Sequence, residues 1–406
     1  MIGRLVEKLM SKGRLTLVMP DGKRTSYGPG GGASLTVRVT DRKTLFAIAR
    51  NPRLGLGEAY MDGRLIVEDG TILDLMRLVV GANRWEDKGK GKWKALFRRN
   101  KAKASRRNVA HHYDIGNDLY RLFLDEDLQY SCAYFTDPAN SLEQAQADKK
   151  AHIAAKLYLK AGQRVLDIGC GWGGTALCLN RVADVDVLGI TLSEEQLKVA
   201  RARAEEAGVA DRVKFELIDY RLVEGRFDRI VSVGMFEHVG VPHYRRFFRK
   251  CRDLLTEDGV MLLHTIGRMG GPGTTDAFTT RYIFPGGYNP ALSEIVAASE
   301  QEKMIAADVE TLRYHYAHTL AHWYRRVAEK KAEIVALYDE RFFRMWQIYL
   351  AGAYVAFRHG GMVNYQIQYL RSRDAVPIVR DYMFDRERAL REAGPGPAQP
   401  VREAAE

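Results

Sequence analysis

An open, mostly parallel β-sheet with helices on both faces, preceded by a smaller α/β module, is the fold class this sequence predicts. Two observations lead there. Five short β-branched or apolar runs, Arg164–Ile168, Val185–Ile190, Lys214–Ile218, Arg229–Val233 and Val260–Thr265, alternate with helical stretches such as Ser193–Glu206 and His243–Leu255. The first of these runs leads into a glycine-rich turn, at the sheet edge where folds of this class bind ligands. At 406 residues the chain exceeds one compact core and accommodates a second, smaller domain.

Residues 1–82 read as the small module. Leu15–Met19 and Arg24–Tyr27 flank the turn Pro20-Asp21-Gly22, a hairpin signal, and Leu35–Val39 alternates like a further strand. Thr44–Arg50 and Thr71–Val80 have helical apolar spacing. The module holds no catalytic constellation, and it is read as a packing or dimerisation element.

Residues 83–107 form a basic segment. Between Arg84 and Arg107 lie eleven Lys and Arg against Glu86 and Asp87, a local +9 within the chain's +11. A charge run of this kind fits a solvated linker. The interleaved Trp85, Trp93, Leu96 and Phe97 also suit a contact with a membrane surface or a nucleic acid. At about 1 kcal/mol per basic residue near an anionic bilayer, half of these cations would hold the protein there.

Residues 108–392 carry the alternating strands and helices, and the helix-rich, aromatic stretch Leu292–Trp346 is expected to cap their sheet. Residues 393–406, with Gly394-Pro395-Gly396-Pro397, are expected to be a disordered tail. The sequence has no internal repeat.

Composition narrows the class. An apolar fraction of 46% and a charged fraction of 28% are ordinary for a water-soluble protein. Met1–Pro20 carries too many charges for a signal peptide, and no apolar run reaches the roughly 18–20 residues of a spanning helix. A cytoplasmic protein follows. Cys132, Cys170, Cys178 and Cys251 have neither C-x-x-C nor zinc-ligand spacing, so neither disulfides nor a metal site are expected.

The stretch from Val165 to Gly174 reads as a strand, a tight turn and a helix. Gly169, Gly171 and Gly174 satisfy the dinucleotide spacing G-x-G-x-x-G, but Asp167 separates two readings. Its carboxylate at the mouth of the loop would repel a pyrophosphate and attract the ammonium and sulfonium of S-adenosylmethionine, to which glycines let the backbone come close. After the second run, Thr191 and Gln196 offer hydrogen bonds to ribose and carboxylate groups. After the third, Asp219 offers an acceptor for an exocyclic amine and Tyr220 a ring to lie on adenine. Each fits a helix cap equally well by itself. Three at the carboxyl ends of successive strands favour S-adenosylmethionine over a nicotinamide cofactor.

With these residues in view, the chain from Asn108 to about Asp385 resembles the cyclopropane fatty-acyl-phospholipid synthases and the mycolic-acid methyltransferases. The matching stretches are NVAHHYDIGN (108–117), YSCAYF (130–135), the glycine turn, FDRIVSVGMFEHVG (227–240), LHTIG (263–267) and YIFPGG (282–287). The N-terminal module is similar to that of the bacterial phospholipid-modifying branch, which the mycolic enzymes lack. The resemblance implies the class I S-adenosylmethionine methyltransferase fold, a doubly wound sheet with a helical cap. It places Tyr130, Ser131, Asp167, Gly169, Gly171, Thr191, Gln196, Asp219 and Tyr220 at cofactor-binding positions. It also implies a bicarbonate ion, held by the backbones of Cys132 and Ile266 and the side chains of Glu237, His264 and Tyr316.

The implied reaction is transfer of a methyl group to a cis double bond of an unsaturated fatty-acyl chain in membrane phospholipid. Deprotonation of the new methyl group by bicarbonate then closes a cyclopropane ring. Positioning the alkene in line with the sulfonium supplies several kcal/mol of the barrier. Phe236, Tyr282, Phe284 and Tyr316 are candidate rings to stabilise the intervening cation. Taken alone, Glu237 also fits a helix cap and His264 a structural histidine. Two departures stand out: Ala353 occupies a position where the family commonly has cysteine, and Tyr288-Asn289-Pro290 replaces a leucine-proline-serine pattern. These leave a methyl- or methylene-branched product open. Association with the anionic inner face of the membrane is expected, and a homodimer through the first module is a family-based expectation. A nucleic-acid substrate is disfavoured, because no N-P-P-[YF] motif occurs and the basic segment lies outside the catalytic core.

Overall fold

The computed structural model describes residues 12–80 and 116–394. The basic segment, residues 108–115 of the first matching stretch and the tail from 395 lie outside the described residues. The chain divides into two compact units that are not contiguous in sequence. Among described residues, one gathers 12–80, 275–285 and 316–362, and the other 116–274, 286–315 and 363–394.

The first unit contains strands β1 (Gly13–Val18), β2 (Arg24–Gly30), β3 (Ser34–Val39) and β4 (Leu65–Val67), in the order β2-β1-β3-β4. β1 and β2 form the hairpin, closed by Met19 N–H donating to the Lys23 carbonyl at 2.9 Å, while β3 runs parallel to β1. Alternation turns Leu15, Leu17, Leu35, Val37 and Val39 inward. Asp41 caps the helix Arg42–Arg50 by accepting from Thr44 N–H at 2.8 Å. Asn51 and Pro52 then start the helix Pro52–Met61. The helices Ile72–Val80, Lys331–Leu337 and Glu340–Arg358, and His315–Glu329 from its second residue, belong to this unit too. Trp323 and Trp346 are fully buried, and Tyr60 donates to Gln347 at 2.5 Å. Most of the stretch read from sequence as a cap therefore packs with the N-terminal module. Residues 275–285 join the same unit, and Gly57 makes room for them: a Cβ there would lie 2.3 Å from the Phe278 ring, which occupies that space.

The second unit holds β5 (Arg164–Ile168), β6 (Asp186–Thr191), β7 (Val213–Leu217), β8 (Phe227–Val233), β9 (Leu255–Arg268), β10 (Ile305–Leu312) and, from its second residue, β11 (Met362–Leu370). Their order is β10-β11-β9-β8-β5-β6-β7. The pairs β5–β6, β6–β7, β5–β8 and β8–β9 are parallel, and β10–β11 is antiparallel. This is the expected doubly wound sheet. One face packs Leu166, Ile230, Met261, Phe247 and Phe248; the other packs Val165, Val231, Leu262 and Leu179. Burying side chains of this kind contributes about 1.5–3 kcal/mol each.

Three strands were not foreseen: the short β4 of the first unit, and β10 and β11 of the second. β10 lies inside the stretch expected to be helical, at the sheet edge, with only Asp308 and Leu312 buried. β11 carries Asn364, Gln366 and Gln368 along one buried side, which disguises a core strand as a polar one. Phe236 also departs from expectation. It is fully buried, stacked on Tyr244 with ring centres 4.2 Å apart, so it packs the core and is not placed to face a substrate cation.

Candidate functional site

In the second unit the chain leaves β5 to one side through β6 and β7, then returns to the other side as β8, so the strand order reverses between β5 and β8. A cavity opens there at the carboxyl ends of these strands, where open α/β sheets bind ligands. Its walls come from the turns after β5, β6, β7 and β8 and from Leu128–Ser131.

The glycine turn forms one wall. Gly169 has φ +88°, and a Cβ there would lie 2.9 Å from Met235; Gly171, at φ +55°, faces open space. Asp167, the penultimate residue of β5, lines the cavity and is 1% exposed. Its Oδ2 has no hydrogen-bond partner among the described residues. Burial pushes this carboxyl up to about 7, opposed by the charge of Lys149. A cationic ligand at this point would satisfy the oxygen and restore the charged form. That requirement fits the ammonium of S-adenosylmethionine.

The other expected cofactor residues line the same cavity. Thr191 donates to Gln196 Oε1 at 3.0 Å, and Ser193 caps the following helix through Gln196 N–H. The Asp219 carboxylate is gripped by the Arg221 guanidinium, with Arg221 Nε donating at 2.7 Å, so an adenine amine has to share it. Tyr220 sits edge-on to Phe247, with ring centres 5.3 Å apart. Tyr130 is set edge-on to Tyr120 at 5.0 Å. Ser131 Oγ accepts from the buried Lys149 ammonium at 2.8 Å.

Of the five positions implied to hold an anion, two are joined directly. Ile266 N–H donates to Glu237 Oε1 at 2.7 Å, while Glu237 Oε2 is buried without a partner. Burial raises this carboxyl to about 7, opposed by the Ile266 hydrogen bond. Its chain neighbours Met235, His238 and Val239 line the cofactor cavity. His264 lies two residues before Ile266 on β9, and burial holds its pKa down at about 3, so it is neutral. Its Nε2 is 3.3 Å from the Asn364 amide nitrogen and its Nδ1 3.2 Å from that of Gln366. A neutral imidazole has one N–H, so one of these amides turns its oxygen to the ring. Cys132 is buried next to Ser131, within reach of the Lys149 charge. Tyr316 belongs to the first unit, where its ring packs edge-on to Phe357 and Trp323 at 4.7 and 5.7 Å.

Sequence reasoning missed the polar support behind these residues. Lys149 also donates to Gln129 Oε1 at 2.5 Å, and Gln146 donates to the Gln129 and Ser131 carbonyls at 3.1 and 3.0 Å. Lys150 donates to Asp127 at 2.5 Å, and Arg203 pairs with the same carboxylate. The helix Leu142–Lys156 that carries the lysines buries Gln146, Asp148, Lys149, Lys150, His152 and Lys156 alongside Leu142 and Ile153, and so shows no clean apolar stripe to betray it. The alternation of Asn364, Gln366 and Gln368 was the readable signal for the His264 partners. The departure at Tyr288-Asn289-Pro290 is bound to the site: Tyr288 N–H donates to the Glu237 carbonyl at 3.0 Å.

Comparison with known proteins gives a consistent set of relatives. The profile of the family described as mycolic acid cyclopropane synthetase matches residues 100–367, and that of a domain of unknown function matches residues 4–84. A probable fatty acid methyltransferase of Pseudomonas putida is 37% identical, covering 91% of this chain and 96% of its own. The cyclopropane-fatty-acyl-phospholipid synthase of Escherichia coli is 38% identical, covering 86% and 91%. Among solved structures, the mycolic acid cyclopropane synthase CmaA1, complexed with SAH and CTAB, superposes with a TM-score of 0.63 at 33% identity, covering 65% of this chain and 98% of that one.

Proposed function

The chain belongs to the mycolic acid cyclopropane synthetase family, a family of S-adenosylmethionine-dependent methyltransferases, and on that premise we propose that its substrate is an unsaturated acyl chain of membrane phospholipid and its product a cyclopropane ring. The observation that carries this reading is the Glu237 carboxyl, buried beside the cofactor cavity with one oxygen fixed by Ile266 and the other unsatisfied. At about 7 the acid is roughly half protonated at neutral pH, and its protonated form donates a hydrogen bond to an anion instead of repelling it.

S-adenosylmethionine supplies the electrophilic methyl group, and bicarbonate the proton acceptor. Asp167 orients the first through its ammonium, and the turn at Gly169 and Gly171 lets the backbone approach it. Glu237 and the backbone at Cys132 hold the second, with Lys149 on Ser131 as the nearby countercharge. His264, kept neutral by burial and by the charges of Lys149 and Lys156, adds no cation where positive charge develops on the substrate. The proposed anion set rests on residues of the second unit. Unsaturated phospholipid is the proposed partner, without nucleic acid.

The test is incubation of purified protein with S-adenosylmethionine and unsaturated phospholipid vesicles, followed by mass spectrometry and proton NMR of the released fatty acids. A gain of one methylene with loss of vinyl signals is expected. Retained vinyl signals identify a methylene-branched product and remove the ring closure. Unlabelled lipid beside methylated RNA removes the substrate class.

A further inference from the structure

The helix Arg42–Arg50 turns Thr44 and Leu45 into the first unit and leaves a broad face outside. Arg42, Lys43, Phe46, Ala47 and Arg50 share that face at helical spacing and are exposed, and Arg53 follows in the first turn of the next helix. Phe46 is 75% exposed at its centre. The Asp41 carboxylate is engaged in the cap, and Arg42 makes one exposed ion pair, 3.4 Å long, with Asp21. Among the described residues no ion pair forms at Lys43, Arg50 or Arg53.

We propose that this face docks on an anionic phospholipid bilayer, with Phe46 entering the boundary between headgroups and acyl chains and Arg42, Lys43, Arg50 and Arg53 meeting lipid phosphates. The apolar stems of long cationic side chains lie along such a boundary while their charges reach the phosphates. One ring surrounded by cations suits a soft, negatively charged surface, which needs no fitted pocket. A protein partner would have to provide both a pocket for that ring and carboxylates around it. The assignment gives the N-terminal module a role beyond packing, and it rests on the reading that the substrate lies in a membrane.

The full-length protein is mixed with vesicles of phosphatidylcholine alone, or of phosphatidylcholine with phosphatidylglycerol, and sedimented. The wild type is expected to bind the anionic vesicles, less so as salt rises. Reversing two cations, Arg42→Glu with Lys43→Glu, is expected to lower the partition coefficient by about tenfold or more, and Phe46→Ser by about tenfold. Phe46→Cys carrying an environment-sensitive fluorophore should shift to the blue on anionic vesicles; the four native cysteines are buried and stay unlabelled. Variants that sediment like the wild type, or a fluorophore that stays in water, overturn the proposal. So does a wild type that ignores vesicles, including one that instead binds an acidic protein through this face. Binding is read without turnover. A wild type that binds vesicles through this face but alkylates no lipid refutes the proposed reaction and leaves the surface standing. Methylation of detergent-dispersed phospholipid is expected to be unchanged in all three variants, which separates docking from chemistry.

Discussion

Ile266 N–H holds Glu237 Oε1 at 2.7 Å and leaves Oε2 buried without a partner among the described residues. A half-satisfied buried acid costs stability, about 1–3 kcal/mol for an unmet polar group, so its presence beside a ligand cavity marks a place for a partner.

Glu237→Gln keeps the shape and the Ile266 contact but removes the exchangeable acid. Cofactor affinity, measured by calorimetry, is expected to stay within about twofold. Turnover is expected to fall by about a hundredfold or more, the scale of a proton transfer whose acceptor is no longer held in place. Unchanged turnover would show that Glu237 holds nothing that reacts.

Asp167→Asn removes the charge that awaits a cation. The affinity for S-adenosylmethionine should weaken by roughly tenfold to a hundredfold, the scale of a hydrogen bond to a charged group. Equal binding of the variant would point to a ligand without an ammonium at this position.

Both carboxyls make the ligand-free protein sensitive to pH. Asp167 rises from 3.8 and Glu237 from 4.5, each to about 7, so between these limits the folded state binds more protons than the unfolded chain. The stability due to each raised carboxyl is complete below its ordinary value and is lost as pH climbs through about 7. Denaturant titrations from pH 5 to pH 8 should show this decline, at most about 1.4 kcal/mol per pH unit and group. Asp167→Asn should shrink it, and saturating S-adenosylmethionine should flatten it. A stability that rises over this range would contradict the burial of both acids.

Gly57→Ala places a methyl group where the Phe278 ring already stands. The expected destabilisation is about 1–3 kcal/mol, typical of overpacking, read as a lower melting temperature. A melting temperature equal to that of the wild type would mean that the ring has somewhere else to go.

Much of the site was legible because its parts are local. A strand with Asp167 as its penultimate residue before Gly169 and Gly171, or Thr191 before a capped helix, is specified by neighbours in sequence, since a turn with positive φ calls for glycine wherever the rest of the chain goes. β11 and Lys149 were illegible for the opposite reason. Asn364 and Gln366 look like surface residues until His264, about a hundred positions earlier, is found against them, and Lys149 looks solvated until Gln129 and Ser131 close over it.

The sequence by itself determined the alternating strands, the cofactor turns and the residues available for chemistry, all of them consequences of short-range sterics and apolar periodicity. Only the tertiary structure decided that residues 316–362 join the N-terminal module, that Phe236 is core, and that Asp167 and Glu237 each keep an unmet oxygen away from water. Burial is a property of everything packed around a group. Segments far apart in the chain create it, so no stretch of sequence carries it alone.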